Sequence, residues 1–175
     1  MDKLSLTEST DTVLGREFLT WLWYRSDTTP GAFTDKNGAP FSVSMKQRIV
    51  VQADEGESRE TASVSGSFSP LREARFGLGT GKKVSRALLR LEKDELAFQL
   101  TMKAEDFSLA GLKTPKQDKN DREEDPDAFL LKKFYLLGIC VDLLDSLYKR
   151  FLKLRLSADW QNEVSHIGHW LTRLD

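Results

Sequence analysis

The chain has 175 residues and a mass of 19.9 kDa, 39% hydrophobic and 30% charged, with 26 basic against 27 acidic side chains. A folded chain of this size hides roughly 70% of the surface its unfolded form exposes, which supports one core and excludes disorder throughout. The apolar run of the second half, residues 134–141, falls far short of the ~20 apolar residues of a membrane span. No basic start with an apolar stretch follows Met1, and Cys140 has no second cysteine to pair with, so a reducing cytoplasm is the expected setting and no membrane is involved.

Residues 10–26 place Val13, Leu14, Phe18, Leu19, Leu22 and Trp23 at helical spacing behind Thr10 and Asp11 as candidate N-caps, which predicts an amphipathic helix. From Gly31 the period falls to two. Phe33, the turn pair Asn37-Gly38, then Phe41, Val43 and Met45 alternating with small polar residues predict a hairpin. Residues 49–51 and 62–68 read as two more strands of the same sheet, separated by the acidic turn 54–57. Ser69 and Pro70 then open a helix of two turns at most, stopped by Gly79 and Gly81.

The clearest local pattern is a hairpin over residues 83–103. Pairing Glu92 with Glu95 puts Leu91, Leu89, Ala87 and Ser85 opposite Leu96, Phe98, Leu100 and Met102 on the core face. The other face then carries Arg86, Arg90, Gln99, Thr101 and Lys103, with Val84 and Leu88 among them. A slip of one residue exchanges the two sets, so burial decides which way the arginines point.

Residues 113–127 contain no large apolar side chain and two prolines, the composition of a charged flexible linker. Beyond them, residues 128–156 repeat apolar side chains at steps of 4 and 3: Leu130, Phe134, Leu137, Val141, Leu144, Tyr148 and Phe151. A second stripe, Leu136, Cys140, Leu143, Leu147 and Leu154, lies beside it. Such a helix needs cover on two sides. A last helix, 158–174, with Trp160, Val164, Ile167, Trp170, Leu171 and Leu174, can reverse at residues 156–159 and cover one; the first seam then faces the sheet or a second subunit. The expected fold class is α+β: a mostly antiparallel sheet of about five to six strands with an N-terminal helix and a C-terminal helical hairpin. The sheet region spans 1–112, the linker 113–127 and the hairpin 128–175.

Catalytic chemistry finds little support. His166 and His169 have the spacing of two metal ligands, but only Glu163 stands near to extend the shell. Cys140 sits in an apolar stripe and reads as a structural thiol. Gly77, Gly79 and Gly81 lack the strand, loop, helix order of a phosphate loop and read as a helix stop. The acids crowd the linker and turns, leaving no carboxylate set for a metal nuclease. No enzyme, metal or cofactor is expected.

Charge layout is more informative. The net of −1 resolves into −3 over 1–68, +4 over 69–103, −4 over 104–128, +4 over 129–156 and −2 over 157–175. Lys82, Lys83, Arg86, Arg90 and Lys103 on the hairpin, with Arg72 and Arg75 on the helix before it, form a basic band suited to backbone phosphates rather than base edges. A solvated sheet face explains the same residues equally well.

Two strings weigh on that choice. The run from Leu14 to Ser26, Leu-Gly-Arg-Glu-Phe-Leu-Thr-Trp-Leu-Trp-Tyr-Arg-Ser, followed by Gly31 and Phe33, resembles a segment opening the C-terminal part of RdgC-like proteins, the recombination-associated DNA-binding family of bacteria. Residues 81–91, Gly-Lys-Lys-Val-Ser-Arg-Ala-Leu-Leu-Arg-Leu, with 98–100 and 107–115, resemble that family's stretch in which a Gly-Lys pair leads into a strand hairpin. The likeness covers about residues 12–115. It implies non-specific DNA binding in recombination or replication by a nucleoid-associated protein, with no reaction, and a ring-shaped dimer around duplex that restrains the strand-exchange recombinase. The family's N-terminal half has no counterpart here, so the resemblance implies either a homodimer or a hetero-oligomer with an RdgC-like N-terminal partner. The alternative is a non-enzymatic assembly module whose long helix binds another subunit through Leu130, Phe134, Leu137, Val141, Leu144, Tyr148 and Phe151.

Overall fold

A computed structural model describes residues 13–45, 48–52, 62–65, 69–117 and 125–173. Helix α1 (Gly15–Thr28) precedes strands β1 (Phe33–Thr34), β2 (Pro40–Ser44), β3 (Arg48–Gln52) and β4 (Ala62–Ser65). Helix α2 (Ser69–Gly79) leads into β5 (Lys83–Lys93), β6 (Leu96–Lys103) and β7 (Leu109–Lys113), then helices α3 (Pro126–Arg155) and α4 (Trp160–Thr172). Every described strand pairing is antiparallel. The expected α+β class, with an N-terminal helix, an antiparallel sheet and C-terminal helices, is observed. The candidate caps Thr10 and Asp11, the turn 54–57, residues 66–68 and Leu174 lie outside the described residues.

The long strand β5 is the spine of the sheet. One edge pairs with β6, which pairs with β7; the other takes β3 along its first half and β2 along its second, with β4 and β1 beyond them. The hairpin register differs from the expected one by two residues: Lys93 faces Leu96, Leu91 faces Phe98, Leu89 faces Leu100 and Ala87 faces Met102. The loop is therefore Asp94-Glu95. Asp94 takes φ 53°, a left-handed conformation that two-residue hairpin loops require and Asp tolerates. Because the slip is even, the leucines and Phe98 keep the core face.

Ser85 departs from the pattern. Val51 pairs with Val84 and Val50 with Arg86, which leaves Ser85 as an extra residue whose hydroxyl donates to the Val50 carbonyl at 3.2 Å. Such a bulge resets the alternation. Val84, expected on the open face, is buried in the core, and Lys83 is only 2% exposed.

Helix α1 lies against β5 and β2 and is itself covered, so apolar residues appear all round it. Its start at Gly15 is later than the apolar spacing suggested, because Leu14 sits at φ 53°, outside the right-handed helical region. Phe18 and Trp21 meet Phe151 of α3 at ring distances of 5.5 and 5.6 Å, and Tyr148 meets Phe18 edge-on at 5.4 Å. Two ion pairs join this helix to the C-terminal ones. Glu17 accepts from Arg155 at 2.7 Å; Glu163 accepts from Arg25 at 2.6 and 2.9 Å and from the Trp21 indole at 2.9 Å. At the far end of β5, Asp35 accepts the Lys93 ammonium at 2.5 Å, and that contact holds its carboxyl below the usual carboxylate range.

Helix α2 runs 11 residues, a turn longer than expected. The last helix turns back as expected and lies mainly over α1 and α2, meeting α3 at Trp160, whose ring stands 5.8 Å from that of Phe151. Trp170 sets the direction: it packs edge-on against Trp23 at 5.3 Å and Tyr24 at 5.7 Å, donates its indole N–H to Asp27 at 2.8 Å, and receives the Arg75 guanidinium over its ring at 4.5 Å. Helix α3 is thus buried along its second stripe, Leu136, Cys140, Leu143 and Leu147. Its first seam divides: Leu144 and Phe151 are buried and Tyr148 half-buried within the chain, whereas Leu130, Phe134, Leu137 and Val141 stand in solvent. Among the described residues no helix is long and apolar enough to cross a membrane.

Candidate nucleic-acid interface

With α1 and α2 on the core side, the opposite face of the central strands is lined by exposed and half-buried side chains in rows. One row pairs Arg86 with Lys103 directly across β5 and β6, with Val50 of β3 beyond. The next pairs Leu88 with Thr101. A third runs Lys113, Gln99, Arg90 and Ser44 across β7, β6, β5 and β2. Arg86, Arg90, Lys103 and Lys113 are all exposed. The rows bearing Arg86 and Arg90 lie about 14 Å apart, four residues at ~3.4 Å each.

The cations are not equivalent. Neither Arg86 nor Lys103 is ion-paired among the described residues. Arg90 is held by Glu92 of the same strand, Nη2 to Oε1 at 2.6 Å and Nε to Oε1 at 2.7 Å. An exposed pair of this kind contributes about 0–1 kcal/mol, so a phosphate can displace it.

Two of the residues expected to face a ligand do not. Lys83 is buried, with 2% of its surface exposed. Arg75 is spent on the last helix, stacked over Trp170 and donating to its carbonyl oxygen. Lys82 is half-buried at the end of the α2 turn, and the side chain of Arg72 lies outside the described residues. Lys113 belongs by composition to the linker that the sequence places at 113–127, but β7 pairs it into the face opposite Gln99.

Other chemistries leave less to work with. Gly77 and Gly79 belong to α2 and Gly81 turns at φ 90°, a helix stop closed by the Lys82 amide donating to the Gly77 carbonyl at 3.0 Å. Among the described residues no group of three or more His, Cys, Asp or Glu is placed to hold a metal ion. Cys140 is fully buried, and burial pushes its thiol up to about 11. The folded protein is therefore expected to resist alkylation at pH 8 and to label only on denaturation, at least a hundredfold slower in the native state. Intact-mass analysis after a timed reaction checks this; labelling of native and denatured protein at similar rates would contradict the buried position. Set beside family models, curated proteins and solved structures, the chain matches none of them.

Proposed function

We propose that the chain binds nucleic acid without reading sequence, through phosphates laid along the open sheet face, and that Arg86, Lys103 and Lys113 with Arg90 supply the contacts. The observation that carries this reading is the side-by-side, solvent-facing pair Arg86 and Lys103 on a sheet face that no helix covers among the described residues. Arg presents a planar fork that suits phosphate oxygens, and Lys adds a mobile point charge. Gln99, Thr101 and Ser44 between and beside the cations add neutral donors to phosphate or sugar. The spacing of ~14 Å between the two cation rows is close to the ~12 Å width of a major groove, so phosphates of both strands come within reach. No aromatic side chain lies in the rows across the face, so stacking on unpaired bases contributes nothing.

Affinity on this reading comes from counterion release. About three phosphates are neutralised, because Arg90 already shares its charge with Glu92; the logarithm of affinity then falls against the logarithm of salt with a slope near −2.7. Duplex binding followed by fluorescence anisotropy should weaken about 40-fold between 50 and 200 mM salt. Binding that is indifferent to salt, or strong preference for one sequence over another, would contradict the proposal.

A further inference from the structure

The first half of α3 carries six large apolar side chains in solvent: Leu130, Leu131, Phe134, Tyr135, Leu137 and Val141, between 38 and 69% exposed. Elsewhere among the described residues such side chains are exposed singly, at Phe76, Leu109 and Leu156. Taking ~200 Å² for a fully open side chain of this kind, the strip presents roughly 600 Å² of apolar surface. A typical monomer's largest apolar patch is no bigger than this, and a standard interface takes about 800 Å² from each partner. With the flanking Lys132, Lys133 and Gly138, the strip is the right size for one such interface.

We propose that this strip pairs with the same strip of a second copy, the two α3 helices crossing antiparallel about a two-fold axis between Phe134 and Leu137. The seam is complementary to itself. In that arrangement Leu130 meets Val141 of the second copy and Phe134 meets Leu137, so every exposed seam position finds an apolar partner. Gly138 has nothing within 4 Å of where a Cβ would stand, so the backbones can approach beside the crossing. Charge favours this orientation: a parallel pair sets Lys133 against its own copy, whereas Asp142 and Asp145 are already paired within the chain with Lys36 and Lys149. The antiparallel pair moves the two copies of Lys133 apart and leaves each beside Gly138 of the other chain. Leu144, Tyr148 and Phe151 take no part, because the chain's own core already holds them. The helix lies outside residues 12–115, and the inference does not depend on nucleic-acid binding.

Light scattering of the full chain tests it. The wild type should show a dimer of about 40 kDa at micromolar concentration, twice the 19.9 kDa of the chain. Phe134→Asp/Val141→Asp, at exposed positions, should give a monomer with unchanged circular dichroism and a dimer affinity at least a hundredfold weaker. Phe134→Cys/Leu137→Cys should cross-link two chains under oxidation where Leu137→Cys alone does not. A wild type that stays monomeric up to about 100 µM, a dimer that survives the aspartates, or cross-linking through Leu137→Cys alone would overturn the proposal.

Discussion

Gly15→Ala is expected to cost about 3 kcal/mol or more and to lower the melting temperature by about 6–12 °C. A Cβ at residue 15 would stand 1.8 Å from the Ala104 carbonyl oxygen and 2.7 Å from its carbon. Both are backbone atoms, and the turn that holds them is fixed: Ala104 is 1% exposed and its amide donates to Ser85 of β5 at 2.9 Å. Relief must therefore come from shifting α1, which carries Phe18, Trp21 and Leu22 into the core. Gly168→Ala is the control. It sits in α4 with nothing within 4 Å of its missing Cβ, and should gain up to about 1 kcal/mol from helix propensity alone. Thermal melts of the two variants separate the close approach from a general effect of adding a methyl group; equal stability at both positions would contradict the packing at Gly15.

Breaking the Glu163 contacts should be nearly as damaging. Glu163 is 5% exposed and receives three hydrogen bonds, two from Arg25 and one from the Trp21 indole. Glu163→Leu leaves a guanidinium and an indole N–H without an acceptor where α1 meets α4. Losing one partner of a buried pair costs about 3–5 kcal/mol; Arg25 keeps 26% of its side chain in water, which brings the expected loss to about 2–3 kcal/mol. The second substitution decides the cause. Arg25→Met/Glu163→Leu removes both charges and should recover more than half of the loss, read as the denaturant midpoint. A double variant no more stable than Glu163→Leu would show that the carboxylate acts through something other than this pair.

Local pattern revealed the elements of the sheet better than their connections. The alternation in residues 83–103 was enough to turn Arg86, Arg90 and Lys103 outward, because burying Leu89, Leu91 and Phe98 admits only one parity. It was not enough to fix the register, which turns on whether Asp94 opens the loop or sits inside it. The bulge at Ser85 left no mark in composition, and it turned Val84 from the open face into the core. Strand β7, Leu-Ala-Gly-Leu-Lys, has too little alternation to declare itself and acquires its conformation by pairing with β6. Contacts between distant segments were the least legible. Arg75 is withdrawn from the basic band by Trp170, 95 residues later, and Glu163 finds Arg25 across 138 residues. The two apolar stripes of α3 look alike in sequence; which of them the core takes depends on the path of α4.

The outward band survives in reduced form, and its role as a phosphate-binding face is tested most directly by reversing together the two cations that lie side by side on it, Arg86 and Lys103. Arg86→Glu/Lys103→Glu alters exposed positions, so folding should be kept, with the melting temperature within a few degrees of wild type. At 50 mM salt its affinity for duplexes of two unrelated sequences should fall by at least a hundredfold for both, and the salt slope should drop by about 2. A folded variant that binds both duplexes as tightly as the wild type would contradict the account.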